Sequence, residues 1–326
     1  MRVPRRILVT GGAGFIGSGF VRFAMRQKEV ERLVNFDLLT YAASLSHVAE
    51  CTGDPRYRFV QGNILDQPLV EKILCEEKID ALVHFAAETH VDRSILSARP
   101  FVETNVLGTL SLLEAARTRP QMHFHHISTD EVFGSLGEEG SFVETSPYSP
   151  NSPYAASKAG ADHLVRAFAH TYGLSTTISH ASNTYGPCQY PEKLIPLVIR
   201  CCLDRQPIPI YGNGRNVRDW LYVDDHAAAL WSILCKGRRG ASYNVGGENL
   251  LSNLDLVSQV IDAVAQNRGE SREVYHKLIR FVSDRPGHDF RYATDCSYLK
   301  KELGWSPEIS MKTGLSSTVS WYTQTR

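Results

Sequence analysis

Arg6-Ile7-Leu8-Val9-Thr10-Gly11-Gly12-Ala13-Gly14-Phe15-Ile16-Gly17 is an apolar run that meets glycines at once and passes into a helical pattern from Phe15 to Met25. Arg6 to Thr10 reads as a buried strand, and Gly11, Gly14 and Gly17 keep a three-glycine spacing with one extra residue in the first gap. Such a pattern serves a tight turn, close backbone approach to a pyrophosphate, and close helix packing, with the helix N-terminus facing the anion. A second strand, Arg32 to Phe36, ends at Asp37, about twenty residues beyond Gly17, where a carboxylate can hold both hydroxyls of an adenosine ribose. An acid there repels a 2′-phosphate, so the reading favours NAD over NADP.

Outward from this start, strand and helix patterns alternate. Strands are predicted over Tyr57 to Gln61, Ala81 to Phe85, His123 to Ser128 and Ser175 to His180, and helices over Gln67 to Glu76, Phe101 to Arg117 and Tyr154 to Tyr172. The alternation predicts an α/β fold with a Rossmann-type doubly wound parallel sheet, whose ligands bind beyond the carboxyl ends of the strands. Gly11 to Gly17, Asp37, Asn63, Ala86 to Glu88 and Ser128 to Glu131 all fall at those ends. After residue 181, prolines 187, 191, 196, 207 and 209 with glycines 186, 212 and 214 break the regularity. Helical patterns recur at Leu194 to Cys202, Asp224 to Cys235 and Leu254 to Ala265, and strand-like pieces at Trp220 to Val223 and Ile279 to Val282. The division expected is a dinucleotide-binding domain over residues 1–180 and a smaller, partly interleaved substrate-binding part over residues 181–326. A helix as apolar as Ala227 to Leu234 can return to cover the first sheet, so a segment of about 217–240 is assigned back to it.

The charge balance is even, 35 Lys plus Arg against 35 Asp plus Glu in 326 residues. That removes the electrostatic argument for nucleic acid or a membrane surface and points to a small-molecule substrate. The basic start Met1 to Arg6 precedes an apolar run far too short for a signal-peptide core, and no later stretch approaches a membrane span. Seven cysteines without zinc-finger spacing read as reduced thiols in a cytoplasmic protein, and the adjacent Cys201-Cys202 as core packing in an apolar helix. His123, His125 and His126 do not complete a metal set. A strand sends the first two to one face and the third to the other, which predicts packing or strand-end hydrogen bonding.

The chemistry gathers at Ser128-Thr129-Asp130-Glu131, where an apolar strand ends in two hydroxyls and two adjacent carboxylates. Downstream, Tyr154-Ala155-Ala156-Ser157-Lys158 places a phenol and an ammonium one helical turn apart. A phenol titrates near 10 and is a poor base at neutral pH, but a cation held ~4 to 6 Å away lowers such a pKa by roughly 1 to 3 units. Lys158 is therefore expected to make Tyr154 a usable base and to hold ribose hydroxyls of the cofactor, while Thr129 or Ser128 donates to a substrate hydroxyl.

The glycine turn, Tyr154-x-x-x-Lys158 and the upstream Ser-Thr resemble the extended short-chain dehydrogenase/reductase superfamily, in its nucleotide-sugar branch. More narrowly, Thr129-Asp130-Glu131-Val132-Phe133-Gly134, His90-Val91-Asp92-Arg93-Ser94-Ile95, Tyr185-Gly186-Pro187, Pro191-Glu192-Lys193-Leu194-Ile195-Pro196, Asn216-Val217-Arg218-Asp219-Trp220 and Asp284-Arg285-Pro286-Gly287-His288-Asp289 resemble the dTDP-glucose 4,6-dehydratase family, over about residues 6–305. The resemblance implies dehydration of a nucleotide-activated hexose. Tyr154 takes the C4 hydroxyl proton as C4 is oxidised by NAD, Glu131 removes the C5 proton, and Asp130 protonates the departing C6 hydroxyl. The order of the two acids comes from the resemblance alone.

It further implies cofactor contacts at Gly11, Gly14, Phe15, Ile16, Gly17, Asp37, Asn63, Ile64, Ala86, Ala87, Thr104, Tyr154, Lys158 and Thr184. The implied substrate contacts are Ser94, Thr129, Asn183, Lys193, Leu194, Pro209, Tyr211, Arg218, Asn253 and His288, with no metal. Arg218 also makes independent sense, because a diphosphate calls for a planar, permanently charged donor; the competing reading is an ion pair with Asp219. Leu38, Asn63, Thr184 and Cys188 depart from the family's usual residues, which leaves thymidine against uridine open. A nucleotide-sugar 4-epimerase is the alternative enzyme, sharing Tyr154, Lys158 and NAD without needing the acid pair. A non-catalytic dinucleotide-binding regulator is the alternative of another class, though such a protein has no use for Tyr154 and Lys158. Apolar residues on more than one face of the helices over Phe101 to Arg117 and Tyr154 to Tyr172 suggest a homodimer built on four helices.

Overall fold

Ile7, Leu8 and Val9 have no exposed surface, because their strand lies in the middle of a parallel sheet that helices cover on both faces. The computed structural model describes residues 2–325. Its first half alternates as β1 (Arg6–Thr10), α1 (Phe15–Met25), β2 (Arg32–Asp37), β3 (Tyr57–Gln61), α2 (Gln67–Glu76), β4 (Ala81–His84), α3 (Val91–Leu96), α4 (Arg99–Phe101), a π-helical turn (Val102–Leu107), α5 (Gly108–Arg117), β5 (His123–Thr129), α6 (Pro153–Tyr172) and β6 (Ser175–Ala181). The second half runs β7 (Asn183–Tyr185), α7 (Leu194–Asp204), β8 (Ile208–Tyr211), β9 (Val217–Tyr222), α8 (Val223–Lys236), β10 (Ser242–Val245), β11 (Leu250–Ser252), α9 (Asn253–Arg268), α10 (Arg272–His276), β12 (Ile279–Val282), α11 (Ser297–Leu303) and α12 (Met311–Gln324).

The main sheet has seven strands in the order β10-β6-β5-β4-β1-β2-β3, and every pair in it is parallel. The order reverses direction between β1 and β4, which is where a doubly wound sheet opens a ligand crevice. Alternation along the strands feeds two cores. Leu8, Val34, Leu82 and Phe124 meet residues of α2, α5 and α6 on one face, while Ile7, Val9, Leu33 and Val83 meet Phe20 and Val21 of α1 and Leu230 and Leu234 of α8 on the other. Helix α8 thus returns to the first sheet. The return extends past residue 240, since β10 adds an edge strand beside β6; β9 instead lies in a separate sheet of order β11-β9-β7. A second large core holds Val198, Ile199 and Cys202 of α7, Val257, Val260 and Ile261 of α9, and Leu315 and Val319 of α12. Cys201 and Cys202 pack there, and all seven cysteines are free thiols.

The helix predicted from Phe101 to Arg117 is present as one helical run, but it widens into a π-helical turn at Val102–Leu107. The π-helical turn carries Asn105, whose amide donates to the Glu88 carbonyl at 3.0 Å and to Ser157 Oγ at 2.8 Å while its oxygen accepts from Glu88 N at 2.9 Å. The widened turn aims one side chain at three partners, a use typical of such turns beside functional sites. Among the described residues no helix is long and apolar enough to cross a membrane.

Candidate active site

Strand β5 delivers Thr129 to the carboxyl edge of the sheet, where the chain turns into a single 3-10 turn, Asp130–Phe133. Thr129 caps that turn: its Oγ1 accepts from Glu131 N at 3.3 Å and donates to Asp130 Oδ1 at 3.3 Å. The two carboxylates therefore leave the strand at fixed angles into different surroundings. Asp130 is 1% exposed, and its Oδ2 is buried with no hydrogen-bond partner among the described residues. Burial, reinforced by the charges of Glu131 and Asp219, holds its carboxyl well above the usual carboxylate range; Arg218 and the Thr129 hydroxyl oppose that only in part. Burial also raises Glu131, but Arg285, Arg218 and Lys193 all pull it back. One acid is thus stored with its proton and its neighbour faces three cations, the division that acid and base roles require.

Tyr154 and Lys158 stand on α6, which starts where Ser152 Oγ accepts from Ala155 N at 3.1 Å and Pro153 fills the first helical position. Both side chains are buried, at 8% and 4% exposure. The sequence predicted that Lys158 would lower the Tyr154 pKa. The structure corrects this: burial and then Glu131 push the phenol above its ordinary value, with a hydrogen bond to Thr129 acting the other way. The Lys158 ammonium donates to the Ile127 carbonyl at 2.7 Å, and burial lowers its own pKa to about 8 with Asp162 opposing.

A dinucleotide cradle lies across the strand-order reversal. A Cβ on Gly11 would stand 2.5 Å from Ala86 N, and one on Gly17 only 2.2 Å from the Gly11 carbonyl oxygen, so loop, helix and β4 touch through bare backbone. Helix α1 has no side-chain cap and no acid in its first turn, leaving the amides around Phe15 and Ile16 open to an anion. Asp37 accepts from Ala13 N at 2.9 Å and Leu39 N at 2.8 Å; each oxygen keeps a lone pair for a ribose hydroxyl. Asn63 Oδ1 accepts from Leu65 N at 3.0 Å, Ile64 is buried against Gly108, and Ala86, Ala87 and Thr104 are partly exposed nearby in the chain path. Thr184 is buried, with Oγ1 2.9 Å from His226 Nδ1. Turn, helix end, acid and open backbone fit a dinucleotide.

The sequence profile of the GDP-mannose 4,6 dehydratase family matches residues 8–318. A dTDP-glucose 4,6-dehydratase from Xanthomonas campestris pv. campestris is 51% identical, covering 97% of this chain and 92% of the relative. The chain belongs to the dTDP-glucose 4,6-dehydratase family. The crystal structure of a dTDP-glucose 4,6-dehydratase from Streptomyces venezuelae with NAD bound superposes with a TM-score of 0.92 at 45% identity, covering 98% of each chain. A UDP-glucose 4-epimerase from Thermotoga maritima superposes at 0.87 with 27% identity, covering 98% of this chain and 99% of that one. Epimerases thus share this dehydratase architecture, and the side chains must separate the two activities.

Of the substrate residues that the family resemblance implied, Arg218 and Lys193 lie close enough to Glu131 to act on its charge. Arg218 is 5% exposed and stacks over the Tyr292 ring at 4.2 Å. Its Nη1 donates to Val217 O and its Nη2 to Asp289 O at 2.9 Å, which keeps Nε and one Nη2 proton for an anion. It forms no ion pair with Asp219, whose oxygens accept from Gly247 N and Asn249 N. Lys193 Nζ donates to Thr89 O at 3.1 Å, and Leu194 and Asn253 open α7 and α9. Tyr211 reaches Asp92 at 3.2 Å and lies edge-on to His288, which pairs with Asp284 at 2.6 Å; Pro209 shares β8 with Tyr211, and Asn183 opens β7. Ser94 points back into its own helix, donating to Val91 O at 2.6 Å.

Sequence reasoning in this dehydratase missed Arg285, which pairs with Asp92 at 3.1 Å and acts on Glu131. It sits inside the Asp284 to Asp289 block, from which only His288 was chosen. Asp162 was missed as well, with no signal beyond a lone acid in an apolar helix. His123 and His125 bond Ser175, Thr177 and Ser179 on β6, whereas His126 faces Asp162 at 3.2 Å.

Proposed function

We propose that the protein is an NAD-dependent lyase that converts dTDP-glucose to dTDP-4-keto-6-deoxy-glucose and water. The observation that carries this reading is the Asp130-Glu131 pair in two different electrostatic surroundings, beside Thr129 and Tyr154. An epimerase has no use for such a pair.

NAD fits the cradle with its pyrophosphate at the α1 N-terminus and its adenosine ribose on Asp37, and when bound it supplies the oxidant for C4 and the reductant for C6. Thr129 orients the C4 hydroxyl and Tyr154 takes its proton. A phenol accepts that proton only after giving up its own, so although burial raises the resting phenol, Tyr154 loses its proton to solvent before C4 is oxidised, and the proton it then gains balances the one that Asp130 later gives away. The new C4 ketone acidifies the C5 hydrogen, and Glu131, held ionisable by Lys193, Arg218 and Arg285, removes it. Asp130 gives its proton to the C6 oxygen, which leaves as water. Glu131 then returns its proton to C5. Arg218, through its uncommitted donors, and Lys193 take the diphosphate side of the substrate.

The protein is further read as a homodimer in the cytoplasm. Seven free thiols suit a reducing compartment. For the dimer, Leu96, Val102 and Leu107 are 87%, 47% and 46% exposed along α3 and the π-helical turn, a run of apolar surface that a second copy would cover. Leu112, Leu113, Val165 and Phe168, on the two helices from which the sequence suggested a dimer, are buried in the subunit's own core and are not available to it.

Incubation with dTDP-glucose followed by alkali tests the activity. A 4-keto-6-deoxy sugar develops ultraviolet absorbance under these conditions, which is the result expected. Formation of dTDP-galactose instead would identify an epimerase, and no turnover at all would point to a non-catalytic binder.

A further inference from the structure

Behind Lys158 lies a buried polar chain that the reaction itself does not call on. The Lys158 Nζ that donates to the Ile127 carbonyl is also 3.5 Å from His126 Nε2. That same ring nitrogen is 3.2 Å from Asp162 Oδ1, and both side chains are fully buried. On its other oxygen Asp162 accepts from Ser128 Oγ at 2.8 Å and Tyr148 OH at 2.7 Å, with His180 Nε2 at 3.2 Å. Tyr148 OH in turn accepts from Arg166 Nη2 at 2.8 Å. A carboxylate surrounded by this many donors stays ionised without water. Burial pushes Asp162 up, but His126 and His180 beside it outweigh it and hold it well below the usual range.

His126 Nε2 cannot serve both neighbours at once. Asp162 Oδ1 has no hydrogen bond among the described residues and meets the ring nitrogen as a close polar contact; with the ring proton on Nδ1, Nε2 accepts from the ammonium. The charges facing Lys158 are few. His84 on β4 and His126 on β5 are neutral, both lowered first by burial, His126 to about 4. Tyr154 on its own helix keeps its proton at rest, Asp130 and Glu131 act on Tyr154, and Glu103 on the π-helical turn pairs with Arg99 at the surface. His180 on β6 and Tyr148 face Asp162. Asp162 is the charge that acts on the amine against burial.

We infer that Asp162, one turn along α6 from Lys158 and packed against the same His126 nitrogen, is a positioning residue that keeps Lys158 an ammonium ion, so that the positive charge of the Tyr-Lys pair is secured by a carboxylate outside the reaction chamber. The inference rests on the proposed role of Lys158 in dinucleotide-dependent oxidation. Its sign is simple. An amine with a lowered pKa carries its charge below that pKa and loses it as pH rises through it, here at about 8. Removing the Asp162 charge lowers the value further.

The test compares the full-length wild type with Asp162→Asn and with Asp162→Ser, two replacements that remove the charge, the second without a buried amide to satisfy. In both the alkaline limb of the kcat profile is expected to move down by about one pH unit or more, with KM for dTDP-glucose unchanged. Tyr148→Phe, which leaves the Asp162 charge in place, should not move it downward. In parallel, the Lys158 13Cε resonance of lysine-labelled protein, assigned by its loss in Lys158→Met, should titrate at correspondingly lower pH. A uniformly lowered kcat with an unmoved limb, or an unchanged 13Cε titration, overturns the inference. If Asp162→Asn does not fold, an unmoved limb and titration in Asp162→Ser overturn it alone. Should the wild type make no keto sugar, the dehydratase reading fails, while the 13Cε titration still decides the coupling.

Discussion

Asp130 Oδ2, buried and without a hydrogen-bond partner, would cost about 1 to 3 kcal/mol as an idle acceptor. Carrying a proton ready for a leaving hydroxyl gives that atom a task, and its surroundings keep the proton there. The adjacency of the two acids was plain in the sequence. Their order was not, because the cations that distinguish Glu131 come from Lys193, Arg218 and Arg285, far along the chain. The same blindness produced the error at Tyr154: helical spacing placed Lys158 one turn away, but only the fold shows how deeply the phenol is buried and that Glu131 lies near enough to raise it. Replacing both acids, Asp130→Asn with Glu131→Gln, should leave C4 oxidation intact in a single turnover, read as NADH absorbance, and suppress elimination by at least about a hundredfold. Full yield of the 4-keto-6-deoxy product from that double variant would remove both residues from the mechanism.

Helix α1 and the loop before it depend on the absence of side chains more than on their presence. A Cβ at position 17 would lie 2.2 Å from a carbonyl oxygen, whereas one at position 14 would meet that oxygen at 3.3 Å. Gly17→Ala should therefore weaken NAD binding by more than about tenfold, as α1 is pushed off the loop, and Gly14→Ala should weaken it less; fluorescence titration with NADH measures both. Equal affinities would mean that the helix is not seated by that contact. Elements such as α1 and α6 were readable because they are long, periodic and bounded by Gly, Ser or Pro. Strands β8, β10 and β11 have only three or four residues, too few for a period to show. The π-helical turn was unreadable for a different reason: Asn105 is held by Glu88 and Ser157, neighbours that exist only after folding. In α12 the signal was present, with Met311, Leu315 and Val319 at four-residue spacing and buried, but the serines and threonines between them masked it.

At the scale of the whole molecule, exposed Leu96, Val102 and Leu107 on the rim of α3 to α5 call for a partner. Sedimentation at micromolar concentration should give about twice the 36.4 kDa of one chain, and Val102→Glu with Leu107→Glu should return it to the single-chain mass. A monomeric wild type would dismiss the arrangement. The strand order has its own outcome for how the chain is made. β6 ends at Ala181, yet its outer neighbour β10 begins only at Ser242, and the cover for α1, helix α8, is also late. During synthesis the cofactor half therefore waits with one strand edge open and one helix uncovered until residue 245 has left the ribosome. A nascent chain stalled between those points presents the unpaired edge of Ser175–Ala181 to its neighbours, the kind of surface that chaperones bind and aggregates start from.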